Sequence, residues 1–136
     1  MLGRRKASQY GVMMMDEIHE RMLAKATDLD CELTFLQSNY EGDLVAQVQE
    51  SRDEVDGIIL NPAGLTGVGY SLRDAIEDCG LPTVEVHLSN ILAREEFRRH
   101  SCFSEIVVGL IAGFKWRGYI AALEMLLEVV KEDKTA

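Results

Sequence analysis

The stretch TVEVHLSNILAREEFR, residues 83–98, decides how the rest of the chain is read. Thr83, Val84 and Val86 favour a pleated backbone, so its first half is a buried strand, yet that strand carries Glu85 and His87 and ends in the polar pair Ser89-Asn90. In an open parallel sheet, ligands bind at the carboxyl ends of the strands, and a histidine arriving there with Ser and Asn behind it is placed for chemistry. The second half adds Arg94 and Arg98, one helical turn apart on a short helix. The bland alternative is a hydrogen-bonded core histidine beside solvated arginines.

Working outward, residues 70–79 form the clearest helix, with Leu72, Ala75, Ile76 and Cys79 on one face and Gly80-Leu81-Pro82 ending it. Before it, residues 57–60 make a continuous apolar strand, as expected where helices cover both faces of a parallel sheet. That strand runs into Asn61-Pro62 and a loop holding Gly64, Gly67 and Gly69. Further upstream, Met15, Ile18, Met22 and Ala26 repeat at helical spacing from Met13 onward, with Asp16 and Glu17 near the positive end of the helix dipole. Residues 32–36 read as a strand, and residues 41–52 as a second helix with Leu44, Val45 and Val48 inward.

Downstream, a last strand at 106–111 passes through Gly113 into a long helix in which Trp116, Ile120, Leu123, Leu127 and Val130 repeat. Tyr119, Ala122, Leu126 and Val129 widen that apolar face beyond one sheet contact, which suggests burial against another subunit, a thick sheet contact being the alternative. Helices alternating with short strands specify one α/β domain over 1–136, a doubly wound parallel sheet. A helix comes first, and residues 1–3 are too short to supply the strand that normally opens such a fold.

At 136 residues the chain is long enough for one core without disulfides or metal. Its formal net charge of -9 argues against a general nucleic-acid or anionic-membrane binder, so an anionic ligand must be held by locally placed arginines. Cys31, Cys79 and Cys102 have no paired spacing and, with no secretory segment, read as reduced thiols of a cytoplasmic protein. His19, His87 and His100 are scattered, which offers no metal constellation, and no apolar run has bilayer-spanning length.

Two constellations compete for the chemistry. Glycines after Asn61, between a strand and a helix, can let backbone amides cradle phosphate, but their spacing is not the dinucleotide fingerprint and no P-loop lysine follows. The other combines His87 and Arg98 with the basic, lid-like opening MLGRRKASQYG, residues 1–11, where Arg5 accompanies Tyr10. Tyrosine has a pKa of about 10, so its phenolate serves as a base at neutral pH only beside a cation, for which Arg5 is a candidate. Histidine then supplies an acid, and arginine a carboxylate clamp.

LGRR with Tyr10-Gly11, QSNYEG at 37–42, GIILNPAGLT at 57–66, SLRDAI at 71–76 and VEVHLSN with AREEFRRHS up to Ser101 together resemble the type II 3-dehydroquinate dehydratases. The resemblance spans essentially the whole chain. It implies a flavodoxin-like fold, assembly as a dodecamer of trimers, and elimination of water from 3-dehydroquinate to give 3-dehydroshikimate without metal, cofactor or Schiff base. That step belongs to the shikimate pathway of aromatic amino acid biosynthesis and to quinate metabolism. Carried over residue by residue, it makes Tyr10 the base, Arg5 its cation, His87 the acid and Glu85 the holder of the His87 ring. Asn61, Leu88 through its backbone, Ser89 and Arg98 would hold the substrate, and Asp74 would reach in from a neighbouring subunit.

The chain also departs from the family pattern. Gly67 stands where the family has a substrate-binding histidine, and Lys115-Trp116-Arg117 where a smaller sequence begins the last helix. Two further readings follow, the first from the loss of histidine at Gly67 and the second from the missing opening strand. One is a related lyase or isomerase acting on a different cyclic hydroxy-keto carboxylate. The other is a catalytically weak paralogue serving as an assembly subunit.

Overall fold

The computed structural model describes residue 11 and residues 13–135. Among these, three strands form one parallel sheet in the order β1-β2-β3: β1 is Ile58–Leu60, β2 is Thr83–His87 and β3 is Gly109–Ala112. Leu60 lies opposite Glu85, and His87 opposite Ala112, so all three strands deliver their carboxyl ends to the same rim. Helices α1 (Met15–Leu29) and α4 (Arg117–Thr135) cover one face, and α2 (Glu41–Ser51) and α3 (Tyr70–Cys79) the other. This is the doubly wound α/β arrangement expected from the alternating pattern.

Each face has its own core. Ile18, Met22, Val84, Val86, Ala122 and Leu126 fill the first, and Val48, Leu60, Leu72, Ala75, Ile76 and Phe103 the second. Side chains alternate along β2, so its valines enter the first core while Thr83, Glu85 and His87 point to the face of Leu60 and Phe103. In α4, Tyr119, Ala122 and Leu126, which in the sequence widen the apolar stripe, lie among the most deeply buried positions of the helix. Helix α3 has the bounds its periodicity predicts and is capped from outside: the Leu72 N–H donates to Glu41 Oε2 at 3.2 Å, occupying one donor of the first turn.

Three expectations require correction. Residues 32–36 form no strand, because alternation prepares a strand but a ladder partner completes it. Leu33 packs on the first core and the Phe35 ring stacks on His19 at 4.0 Å, yet no strand lies beside this segment among the described residues. The helix expected around Arg94 to Arg99 is instead two 3-10 turns, Ile91–Ala93 and Glu96–Arg99, separated by Arg94 in an extended conformation. The last strand begins at Gly109 and not at 106, since the Ile106 and Val107 N–H groups donate to the Phe103 carbonyl and hold that segment in a turn.

The turn from β3 to α4 folds back over the end of β2. Gly113 has φ +96, and a Cβ there would lie 3.1 Å from Asn90 Cβ; Gly80, closing α3, has φ +70 with open space around it. Both positions penalise a side chain through backbone strain, but only Gly113 adds crowding. Gly80→Ala is therefore expected to cost about 1 kcal/mol and Gly113→Ala about 2–3 kcal/mol in urea denaturation. Equal losses would show that Asn90 gives way freely.

Candidate active site

The rim is shaped where the β3–α4 turn grips the end of β2. The Gly113 N–H donates to the His87 carbonyl at 3.2 Å, and the Lys115 N–H to the Leu88 carbonyl at 3.0 Å. Leu88 drops its side chain into the first core, and the chain emerges at Ser89 and Asn90 on the carboxyl side of the sheet.

Behind this exit lies a buried acid–histidine pair. Glu85 is 0% exposed and His87 5%, and the His87 Nε2–H donates to Glu85 Oε2 at 2.5 Å. The second carboxylate oxygen accepts from the Ser104 hydroxyl at 3.5 Å. A buried carboxylate is tolerated only when so paired. Because a carboxylate can only accept, the bond places a hydrogen on Nε2 and leaves Nδ1 as the ring nitrogen for exchange with a ligand.

The other candidates are less uniformly placed. Ser89 is buried, and its Oγ accepts from Arg94 Nη1 at 3.2 Å. Arg98 is engaged differently: its Nε–H donates to Glu95, holding that carboxyl below the usual carboxylate range, and its guanidinium lies 4.7 Å from the Phe97 ring centroid. Asp74 is exposed on α3 and pairs with Arg73 at 3.4 Å, which also meets Glu77 and Glu105. Asn61, at the end of β1, donates from Nδ2 to Tyr119 Oη at 2.8 Å and accepts from the Ala63 N–H at 3.1 Å. Tyr10 and Arg5 lie outside the described residues.

Gly11 is described, and the stem of Lys115 passes 3.4 Å from where a Cβ on Gly11 would stand. Lys115 itself has φ 56, and the guanidinium groups of Arg21 and Arg117 lie 4.5 and 4.8 Å from the ring centroid of its neighbour Trp116. Ser104 is a neighbour of the candidate residues that periodicity and spacing do not single out, whereas Arg94, Lys115 and Tyr119 stand out in the sequence but not as partners of Ser89, Gly11 and Asn61. For Tyr119 a signal was present: a tyrosine in a long apolar stripe must bury its hydroxyl, and a buried hydroxyl finds a partner.

Gly67 borders an open cleft of about 390 Å³, lined also by Tyr70, Arg73 and His100. A Cβ at Gly67 would meet only the His100 and Phe97 carbonyls at 3.5 and 3.9 Å, ordinary contacts, whereas one at Gly69 would fall 2.9 Å from the Leu65 carbonyl. Glycine is thus sterically required at 69 and not at 67.

Three comparisons bear on this arrangement. The family model "Dehydroquinase class II" matches residues 1–127. A 3-dehydroquinate dehydratase of Campylobacter jejuni is 46% identical over 134 residues, covering 98% of this chain and 84% of that protein. One from Herpetosiphon aurantiacus is 44% identical over 128 residues, covering 94% and 89%. Among solved structures, the type II dehydroquinase of Butyrivibrio crossotus superposes with a TM-score of 0.90 at 34% identity, covering 93% of this chain and 88% of that one.

The buried pair can be tested without reference to turnover. Replacing His87 by Ala strands the Glu85 carboxylate, and the expected loss is about 3–5 kcal/mol in urea denaturation. A loss under about 1 kcal/mol would show that Glu85 does not depend on the ring.

Proposed function

The chain belongs to the class II dehydroquinases, and from that premise we propose that it dehydrates 3-dehydroquinate to 3-dehydroshikimate by tyrosinate-initiated elimination through an enolate. The observation that carries the reading is the Glu85–His87 pair, buried at the carboxyl end of the central strand with Ser89 beyond it and Asn61 ending the strand alongside.

In this scheme Tyr10, its phenolate favoured by Arg5, takes the proton next to the substrate ketone. The C–H electron pair moves into the carbonyl, giving an enolate that donors at the rim stabilise by electrostatic preorganisation. Collapse of the enolate forms the carbon–carbon double bond and expels the hydroxyl, which leaves as water with a proton from His87. Glu85 holds the ring so that Nδ1 faces the leaving group. Asn61, Ser89 and the backbone at Leu88 hold the hydroxyls, and Arg98 the carboxylate. In the isolated subunit Arg98 is turned to Glu95, so this role requires it to exchange that exposed partner for the ligand.

Assembly belongs to the same proposal. Asp74 is exposed on α3, and Val68, Tyr70, Leu92 and Phe97 are each more than 60% exposed. Apolar side chains so open on the surface support a homo-oligomer, trimers assembled to a dodecamer, in which Asp74 enters a neighbour's site. No helix of the described residues is long and apolar enough to cross a membrane. The free Cys31, Cys79 and Cys102 support a cytoplasmic location.

Mixing the protein with 3-dehydroquinate should produce the ultraviolet absorbance of a conjugated enone, and Tyr10→Phe should lose about 10²–10⁴-fold of that rate. A folded, assembled parent that forms no enone would overturn the reading, and an unimpaired Tyr10→Phe would remove tyrosine as the base. Because position 67 has room, Gly67→His is expected to tighten binding of a dehydroquinate analogue about tenfold, the contribution of one added hydrogen bond in calorimetric titration. Unchanged affinity would mean that the cleft at Gly67 is built for another ligand shape.

A further inference from the structure

Asn61 and Tyr119 meet across 58 residues of sequence, and the contact fixes more than a distance. A carboxamide has an oxygen that only accepts and an NH₂ that only donates. The Ala63 N–H can only donate, so the atom it faces at 3.1 Å is Asn61 Oδ1. That places the NH₂ toward Tyr119 Oη, which takes one of its hydrogens at 2.8 Å and leaves one. Asn61 is half-buried at the end of β1, so the remaining hydrogen has the open rim available to it.

Both anchors are themselves restrained. Ala63 has φ 48, a left-handed conformation unusual for alanine, and its carbonyl accepts the Thr66 hydroxyl at 2.5 Å. Tyr119 is 8% exposed in the first turn of α4, which packs on the sheet at Gly118, within van der Waals reach of Val86 and Ile111. Burial also raises the Tyr119 pKa above the usual tyrosine value, which keeps a neutral phenol beside the amide.

We propose that Tyr119 is a positioning residue for the dehydration: with the Ala63 N–H fixing which end of the Asn61 carboxamide is the nitrogen, its phenol oxygen takes one N–H and so directs the other to a substrate oxygen. A free carboxamide can rotate and offer its carbonyl instead, which repels an enolate oxygen. The pair removes that option, so Asn61 acts as a donor alone. The inference rests on the dehydratase reading, since it assigns the recipient of the hydrogen as an oxygen of that substrate.

The test is a double-mutant cycle on enone formation with the parent, Tyr119→Phe, Asn61→Ala and the double variant. Tyr119→Phe should keep the parent's melting temperature and oligomeric state, lower kcat/KM about tenfold, and lower kcat more than it raises KM. In the Asn61→Ala background the same change should have no further effect, because the group it positions is gone. Independent, multiplying effects would overturn the inference, as would a fully active Tyr119→Phe. Should Tyr119→Phe fail to fold, the Asn61 side-chain amide of the nitrogen-15-labelled parent decides. One proton protected from solvent exchange is expected, and two protons exchanging equally fast would overturn the proposal. An inactive parent removes the dehydratase reading and this inference with it. An active parent with additive effects removes the inference alone.

Discussion

Glu85 sits fully buried in the middle of the central strand, and a carboxylate in that position folds only if both its oxygens are occupied. Removing such a group from water costs several kcal/mol, and the compensation must come from donors within reach. One donor is local: His87, two residues on, shares the face of the strand. The other is not. Ser104 arrives from the β2–β3 connection, which must return over the same face, and the neighbouring Phe103, fully buried in the second core, secures that return. The irregular course of the connection is therefore part of what makes the strand foldable, and the same course delivers Arg94 to Ser89.

How much of this could be read from the chain depended on whether the cause was local. Helix α3 announces itself through Leu72, Ala75, Ile76 and a closing Gly80, and its bounds agree with that pattern. Strand β2 is legible because Thr83, Val84 and Val86 favour it and because a central strand tolerates polar residues that find partners. Residues 32–36 carry the right alternation, but pairing is a property of two segments, and one segment cannot report it. The residues after Asn90 have helical spacing in their charges, which says nothing of the extended Arg94 that interrupts them.

The candidate site divides in the same way. The types at the strand ends, Asn61, Glu85, His87 and Ser89, are visible because polar groups in apolar runs need an explanation. Which partners they meet is not, because Tyr119 and Ser104 lie 58 and 19 positions away from the groups they serve. Charge is the hardest to read. In a chain of net charge -9, which cation faces a ligand depends on which carboxylate reaches it first. Arg73 is met by Asp74, Glu77 and Glu105, and Arg98 by Glu95, outcomes set by side-chain reach along α3 and across a 3-10 turn.

The placement of β2 also sets the order in which this protein loosens. Every residue of the strand is buried and both its edges are paired, whereas β3 begins with exposed residues and the connection from 92 to 100 is largely at the surface. Amide hydrogens open locally where burial and pairing are sparse, and only with global unfolding where both are dense. The Glu85–His87 pair therefore belongs to the slowest-exchanging segment, while the Arg94 and Arg98 turns belong to a faster one. Local opening at the rim thus leaves the acid–histidine pair in place, since its strand opens only with the whole fold.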